Sequence, residues 1–276
     1  MTLARPVTAA TLAPIDTDRL LRDGFVVLPG LLHPQEIADF EADIAALVAS
    51  QLAALGLTPV HPDPFIDLFE VGGAHTDRLY TLMERLMVLQ RIGARLGDEL
   101  RQAGFLRWAG FEAPLLWPDI RADIPGDTVR QLPVHQDFGS THCARAWRLW
   151  IALRPSGPET GTLRLYPGTH GRGFVEHNVD DPLDPHLEPR HYAGVEPLDL
   201  DLPAGGGVLF DPMIFHASVP NRSRRTKFSL MLQLQDLAAM IRPDAPGEAH
   251  ASMLAVNALR AAARIRLRHT EPEQDR

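Results

Sequence analysis

The chain has 276 residues, 45% of them apolar, enough to bury a substantial core. Its formal charge is −8 with acidic and basic residues interspersed, which argues against a nucleic-acid groove, and its single cysteine, Cys143, excludes an internal disulfide or a multi-cysteine metal site. No apolar run approaches the roughly 20 residues of a membrane span, and the opening MTLARPVTAATLAP lacks the order of a secretory signal, so a cytoplasmic protein with a small-molecule partner is expected.

After a Pro- and Thr-rich lead, DRLLRDGFVVLPGLL predicts a short helix, a strand at Phe25 to Leu28 and a Pro-Gly turn. The next stretch carries Ile37, Phe40, Ile44, Leu47, Val48 and Leu52 at helical spacing, with Pro34 near its start, and predicts an amphipathic surface helix. A second helix is expected from Thr76 to about Ala103, burying Leu79, Leu82, Leu86, Leu89 and Leu96. From Phe105 the chain becomes a series of short runs broken by Gly, Pro and Asp: RWAGFEAPLLW, VRQLPVHQD, RAWRLWIALRP, GTLRLYPG, GGVLFDP, MIFHASVP and KFSLMLQLQ. Such strands following helices predict a mainly β fold, an all-β barrel or double-sheet jelly roll with a helical cover. The whole of 1–276 reads as a single domain: helical cover and first strand over 1–104, core over 105–236 with a lid loop at about 176–195, and an Ala- and Arg-rich C-terminal helix over 247–268.

The chemistry concentrates in PVHQDFGSTH, 133–142. Side chains alternate across a strand, so His135 and Asp137 point to one face and can share a metal. A second imidazole from another strand would complete two histidines and one carboxylate on one side of an ion, the arrangement that leaves positions open on non-haem Fe(II). His216 in FDPMIFHASVP is the best candidate, because an apolar run carries it inward and it lies 79 residues beyond Asp137, far enough to belong to a different strand. Twelve histidines also make a chance H-x-D match plausible. His142 follows a Gly-Ser-Thr turn and reads as a loop or substrate-facing residue, and Cys143 as a small buried one.

Taken together, DGFVVLPGLLHPQEIADF, VHQD, LWIAL, GTLRLYPGTHGRG and HASVPNRS, in that order, resemble the phytanoyl-CoA dioxygenase family of Fe(II)- and 2-oxoglutarate-dependent oxygenases. The resemblance covers most of the chain and implies a double-stranded β-helix core, with Fe(II) held by His135, Asp137 and His216, and 2-oxoglutarate and O2 as cosubstrates. Related halogenases replace the carboxylate with a small residue; Asp137 therefore favours hydroxylation, or another oxidation such as desaturation or ring closure, over halogenation. The family places an arginine eleven residues after the distal histidine to meet the cosubstrate's C5 carboxylate. Here that register holds Lys227, in a chain whose other 26 basic residues are arginines, with Arg225 as the alternative. Ser218 resembles the family's hydroxyl contact to the same carboxylate, and Trp150 an aromatic lining the cosubstrate pocket, though it could equally be plain core. Gln136 points opposite to the two ligands in a regular strand, although the family often uses this position near the cosubstrate. Pro167 to His170 reads as a structural turn. Arg145 and Arg148 read as mouth residues, either solvated or facing an anionic substrate, and Phe138, Ser140 and His142 as substrate contacts.

The function expected is oxidation, foremost hydroxylation, of a C–H bond in a small organic substrate, a specialised-metabolite intermediate by analogy, with release of succinate and CO2. A Zn(II) hydrolase or a non-catalytic sensor on a cupin-like barrel are the alternatives. No nucleic-acid or membrane partner is expected, and the chain would act as a monomer or homodimer.

Overall fold

A computed structural model describes residues 12–127, 131–137, 143–178 and 186–240. Helix α1 (Thr17–Asp23) is capped by the Asp16 carboxylate, which accepts from the Arg19 N–H, and it ends at Gly24 in the left-handed region, φ 86°. A Cβ at Gly24 would lie 2.5 Å from His170 Nδ1, so the glycine also lets the Pro167–His170 turn pack beneath β1 (Phe25–Leu28). Helix α2 (Pro34–Leu55) starts at a capping box in which His33 and Glu36 satisfy each other's backbone donors, and it buries Phe40, Ile44, Val48 and Leu52 as its spacing predicts.

The helix expected from Thr76 to Ala103 is two helices, α4 (Gly73–Glu84) and α5 (Met87–Gln102), preceded by a short α3 (Pro64–Glu70) that the periodicity did not reveal. Leu86 between them is extended at ψ 128°, and the Gln90 amide donates to the Glu84 carbonyl across the break. No Gly or Pro marks this break, and both segments keep a helical stripe, so the sequence reads as continuous. RWAGFEAPLLW likewise divides: Phe105–Trp108 is helix α6, and β2 (Pro114–Asp123) begins at its apolar end.

The remaining strands are β3 (Ala146–Ala152), β4 (Thr160–Tyr166), β5 (Leu198–Asp199), β6 (Gly207–Phe210), β7 (Phe215–Asn221) and β8 (Lys227–Asp236). They form two facing antiparallel sheets, one ordered β1-β6-β3-β8-β2 and one ordered β5-β4-β7, the jelly-roll arrangement expected. Period-two alternation decides which residues meet ligand. Ile120 and Ala122, Leu149 and Ile151, and Phe228, Leu230, Leu232 and Leu234 join the helices in the main core. Asp119, Arg121 and Asp123, Arg148 and Trp150, and Lys227, Ser229, Met231 and Gln233 face the cavity between the sheets.

VRQLPVHQD does not form an extended strand within its described part. His135 makes a single antiparallel bridge to His216, and Asp137 already lies in a turn. The flanks of the expected lid carry an isolated bridge, Asn178 to His186, and a 3-10 turn at Pro189–His191; Leu187 packs with Val134, Tyr166 and Phe215. The expected C-terminal helix lies outside the described residues, as do Phe138, Ser140 and His142.

Candidate active site

His135 and His216 exchange both backbone hydrogen bonds, N–H to carbonyl at 2.9 and 3.0 Å, which sets their rings 4.2 Å apart, centroid to centroid. Each Nδ1–H donates to a carbonyl two residues earlier, Pro133 at 2.8 Å and Ile214 at 3.0 Å. That fixes the tautomer, so both Nε2 lone pairs are bare and aimed at Asp137 Oδ1, at 3.6 and 3.5 Å. Donors at about 2.1 Å from one ion and at right angles would sit roughly 3 Å apart, and the three ligand atoms here lie within 4.8 Å of one another, close enough to converge on a metal as it binds. Two imidazoles and one carboxylate fit ferrous iron with open positions. Zinc would accept the same donors, so the choice of metal rests on the cosubstrate pocket beside them.

Burial alone would raise the Asp137 pKa, but the positive charge that His216 and His135 carry when protonated, together with the Arg148 guanidinium, holds it well below the usual carboxylate range. Burial and the neighbouring His216 keep His135 below the ordinary histidine value, which favours the neutral, ligating ring. Arg148 is 2% exposed, a buried residue rather than one at the barrel mouth. Its Nε donates to Asp137 Oδ2 at 3.0 Å, while its Nη1 has no partner among the described residues. Arg145 instead pairs with Glu112 and the buried Asp236, away from this cavity.

Gln136, between the two ligand candidates, turns away from the cavity. Its Nε2 donates to the carbonyls of Gly173 and Met213, and its Oε1 accepts from the Val175 N–H. It therefore ties the ligand turn to the loop behind it and does not reach the cosubstrate space. Its own backbone N–H donates to His177 Nε2 at 2.9 Å, and His177 Nδ1–H donates to the Val175 carbonyl, so His177 is a neutral brace behind the ligand pair. Burial lowers its pKa to about 4.

From the histidines a cavity of about 400 Å³ runs between the sheets past Trp150 to Lys227. Lys227 is 3% exposed, pairs with Asp123, and has its Nζ 5.0 Å from the centre of the Trp150 ring. Arg121 Nε donates to the other oxygen of Asp123 at 2.7 Å. Burial lowers the Lys227 pKa against the pull of Asp123; the two cations hold Asp123 below its usual value despite burial. Two buried hydroxyls, Thr162 Oγ1 and Ser229 Oγ, face this end of the cavity with no partner among the described residues, and Ser218 lines it too. A buried ammonium beside orphaned hydroxyls is a site for an anion. Arg225 is exposed and lies with Arg224 in a neighbouring groove that Lys227 also borders, so of the two cations only Lys227 lines the cavity that the histidines share.

Several of these residues escape a sequence reading. Asp119, Arg121 and Asp123 alternate with Ile120 and Ala122 in PDIRAD, an apolar-and-charged alternation that signals a strand with a polar inner face. Burial raises the Asp119 pKa. His177 sits in irregular chain and carries no signal at all.

A family model for phytanoyl-CoA dioxygenase matches residues 20–229. The chain belongs to the phytanoyl-CoA dioxygenase family. It is an Fe(II)- and 2-oxoglutarate-dependent dioxygenase, with Fe(II), 2-oxoglutarate and O2 as its cofactors. Among curated proteins, an ectoine dioxygenase of Nocardia farcinica is 25% identical over 228 residues, 72% of this chain and 70% of that protein. Two crystal structures share the fold. One is the non-haem α-ketoglutarate-dependent carbocyclase SnoK from nogalamycin biosynthesis, with TM-score 0.58 and 20% identity, covering 90% of this chain and 93% of that one. The other is EctD from S. alaskensis with 2-oxoglutarate and 5-hydroxyectoine, with TM-score 0.53 and 18% identity, covering 86% and 81%. Among the described residues of this family member, no helix is long and apolar enough to cross a membrane.

Proposed function

We propose that this dioxygenase hydroxylates a C–H bond of a small organic substrate, a specialised metabolite, with His135, Asp137 and His216 holding the iron. The observation that carries this reading is the continuity of one cavity from the three donor side chains to the buried Lys227 ammonium. Ferrous iron, when bound with 2-oxoglutarate and O2, supplies an oxidant able to break an unactivated C–H bond, and the cosubstrate leaves as succinate and CO2.

The residues divide that work. Asp137 would contribute the anionic donor, and Arg148 holds its Oδ2, which leaves Oδ1 on the side of the two histidines. Lys227 meets the C5 carboxylate of 2-oxoglutarate, with the hydroxyls of Ser218, Ser229 and Thr162 as further donors. Trp150 walls the space between. Asp123 holds the lysine in place, which a lone ammonium on a flexible stem would otherwise lack. Retention of the Asp137 carboxylate leaves no open coordination position there for a halide, which supports hydroxylation over halogenation.

Purified protein given Fe(II), ascorbate and 2-oxoglutarate is expected to form succinate, and Asp137→Ala to abolish it. Succinate formation by Asp137→Ala at the rate of the unaltered enzyme would remove Asp137 from the metal site. Activity with Zn(II) in place of Fe(II), without O2, would favour the hydrolase instead.

A further inference from the structure

Among the described residues, six charged side chains line the cavity: Asp119, Asp123 and Asp137 against Arg121, Arg148 and Lys227. They cancel, and Fe(II) with the 2-oxoglutarate dianion also cancel, so the loaded site has no net charge to offer. A substrate with a large net charge would enter at a desolvation cost that nothing balances. The compensation inside the set is uneven. Asp123 has Lys227 and Arg121, and Asp137 has Arg148 and the metal. Asp119 has no ion pair among the described residues: the Gln233 amide donates to it at a long 3.4 Å, and Arg148 and Arg121 act on it only from a distance. On β8, Gln233 sits directly opposite Arg148 in the ladder, so Asp119 and the free Nη1 of Arg148 flank one neutral amide on the wall beside the metal donors.

We propose that this pair is the substrate clamp: Asp119 takes a protonated nitrogen of the substrate and Arg148 Nη1 takes an acceptor oxygen. The substrate class is then a small zwitterion, with one protonated nitrogen balanced by a carboxylate. Coenzyme A thioesters, with several phosphate charges, do not belong to it. The inference rests on the proposed iron site, because Arg148 is fixed by the carboxylate that would bind the metal. It gives Asp119 a specificity role distinct from the cosubstrate end.

The test uses the full chain with Fe(II) and 2-oxoglutarate, first without O2, where formation of the visible metal-to-ligand band establishes the loaded site. Ectoine and the common L-amino acids, each amino acid paired with its N-acetyl derivative, are then added. Perturbation of the band, and succinate formation once O2 is admitted, are read for each compound. Stimulation is expected from members that carry the positive nitrogen and to drop roughly tenfold or more on N-acetylation. Asp119→Asn should collapse that ratio by raising KM for the cationic member more than for its acetylated partner, and Asp119→Glu should restore part of it. Responses from the acetylated half alone, no response from the cationic half, or a ratio unmoved in Asp119→Asn would each overturn the clamp while leaving the iron reading intact. Absence of the band before any compound is added would defeat the iron reading and this inference with it.

Discussion

Lys227 and Asp123 face each other across the β2–β8 ladder and form a buried ion pair at the end of the cavity away from the histidines. Breaking one side of such a pair leaves a charge buried without compensation. Lys227→Met is therefore expected to raise KM for 2-oxoglutarate by roughly tenfold to a hundredfold, the equivalent of a lost charge-assisted contact. Arg225→Ala, altering an exposed side chain in the neighbouring groove, should leave that KM where it is. Succinate formation followed against 2-oxoglutarate concentration separates the two, and a KM that responds to Arg225 rather than Lys227 would reverse the assignment.

Arg148 acts on the metal through Asp137. With its Nε donor gone in Arg148→Met, Asp137 loses the contact that orients its carboxylate, and Fe(II) affinity should fall roughly tenfold to a hundredfold. Anaerobic calorimetric titration with Fe(II) measures this directly. Arg148→Lys, which keeps the charge but not the planar donor, should recover only part of the loss.

The brace behind the ligands predicts a pH effect on stability. His177 has a folded pKa of about 4 against an ordinary value of 6.5, so between these values the unfolded chain takes up a proton that the folded chain refuses. Its contribution is fully present above pH 6.5 and declines as pH falls toward 4. Protonation would also set a ring N–H against the Gln136 N–H. Urea unfolding at a series of pH values should show this slope, and His177→Gln should flatten it.

Phe228, fully buried next to Lys227 in sequence, packs edge-on against Phe40 and Phe65. Phe228→Ala is expected to cost roughly 3–5 kcal/mol of stability. Equilibrium denaturation should show a lower midpoint with an unchanged slope.

How much of this was legible in the sequence depended on whether one segment held the information. His135, Asp137 and His216 could be picked out because each sits at the end of an apolar run with strand spacing, and Lys227 stood out as a single lysine among arginines. The strands β3, β4, β6, β7 and β8 read correctly because inner and outer faces alternate, whereas VRQLPVHQD keeps only one bridge and RWAGFEAPLLW splits into a helix and the start of β2. The break at Leu86 was hidden, since it is made by a backbone turn without Gly or Pro while the apolar stripe continues on either side. Strand alternation already pointed Gln136 away from His135 and Asp137, and only the family resemblance put it near the cosubstrate; its partners in Gly173, Val175 and Met213 are ones that no local pattern predicts. Arg148 looked like a surface charge, yet its partner Asp137 comes from a different element. The pairing of a β3 arginine with a loop carboxylate is a product of tertiary packing.

In the proposed site, two histidines from separate segments and one aspartate hold a single ferrous ion beside the cosubstrate. Anaerobic titration of the purified chain with Fe(II) in the presence of 2-oxoglutarate tests this arrangement most directly. The visible charge-transfer band should grow to saturation at one iron per chain and be lost in Asp137→Ala and in His216→Ala. A band of full strength in either variant, or none in the unaltered chain, would contradict it.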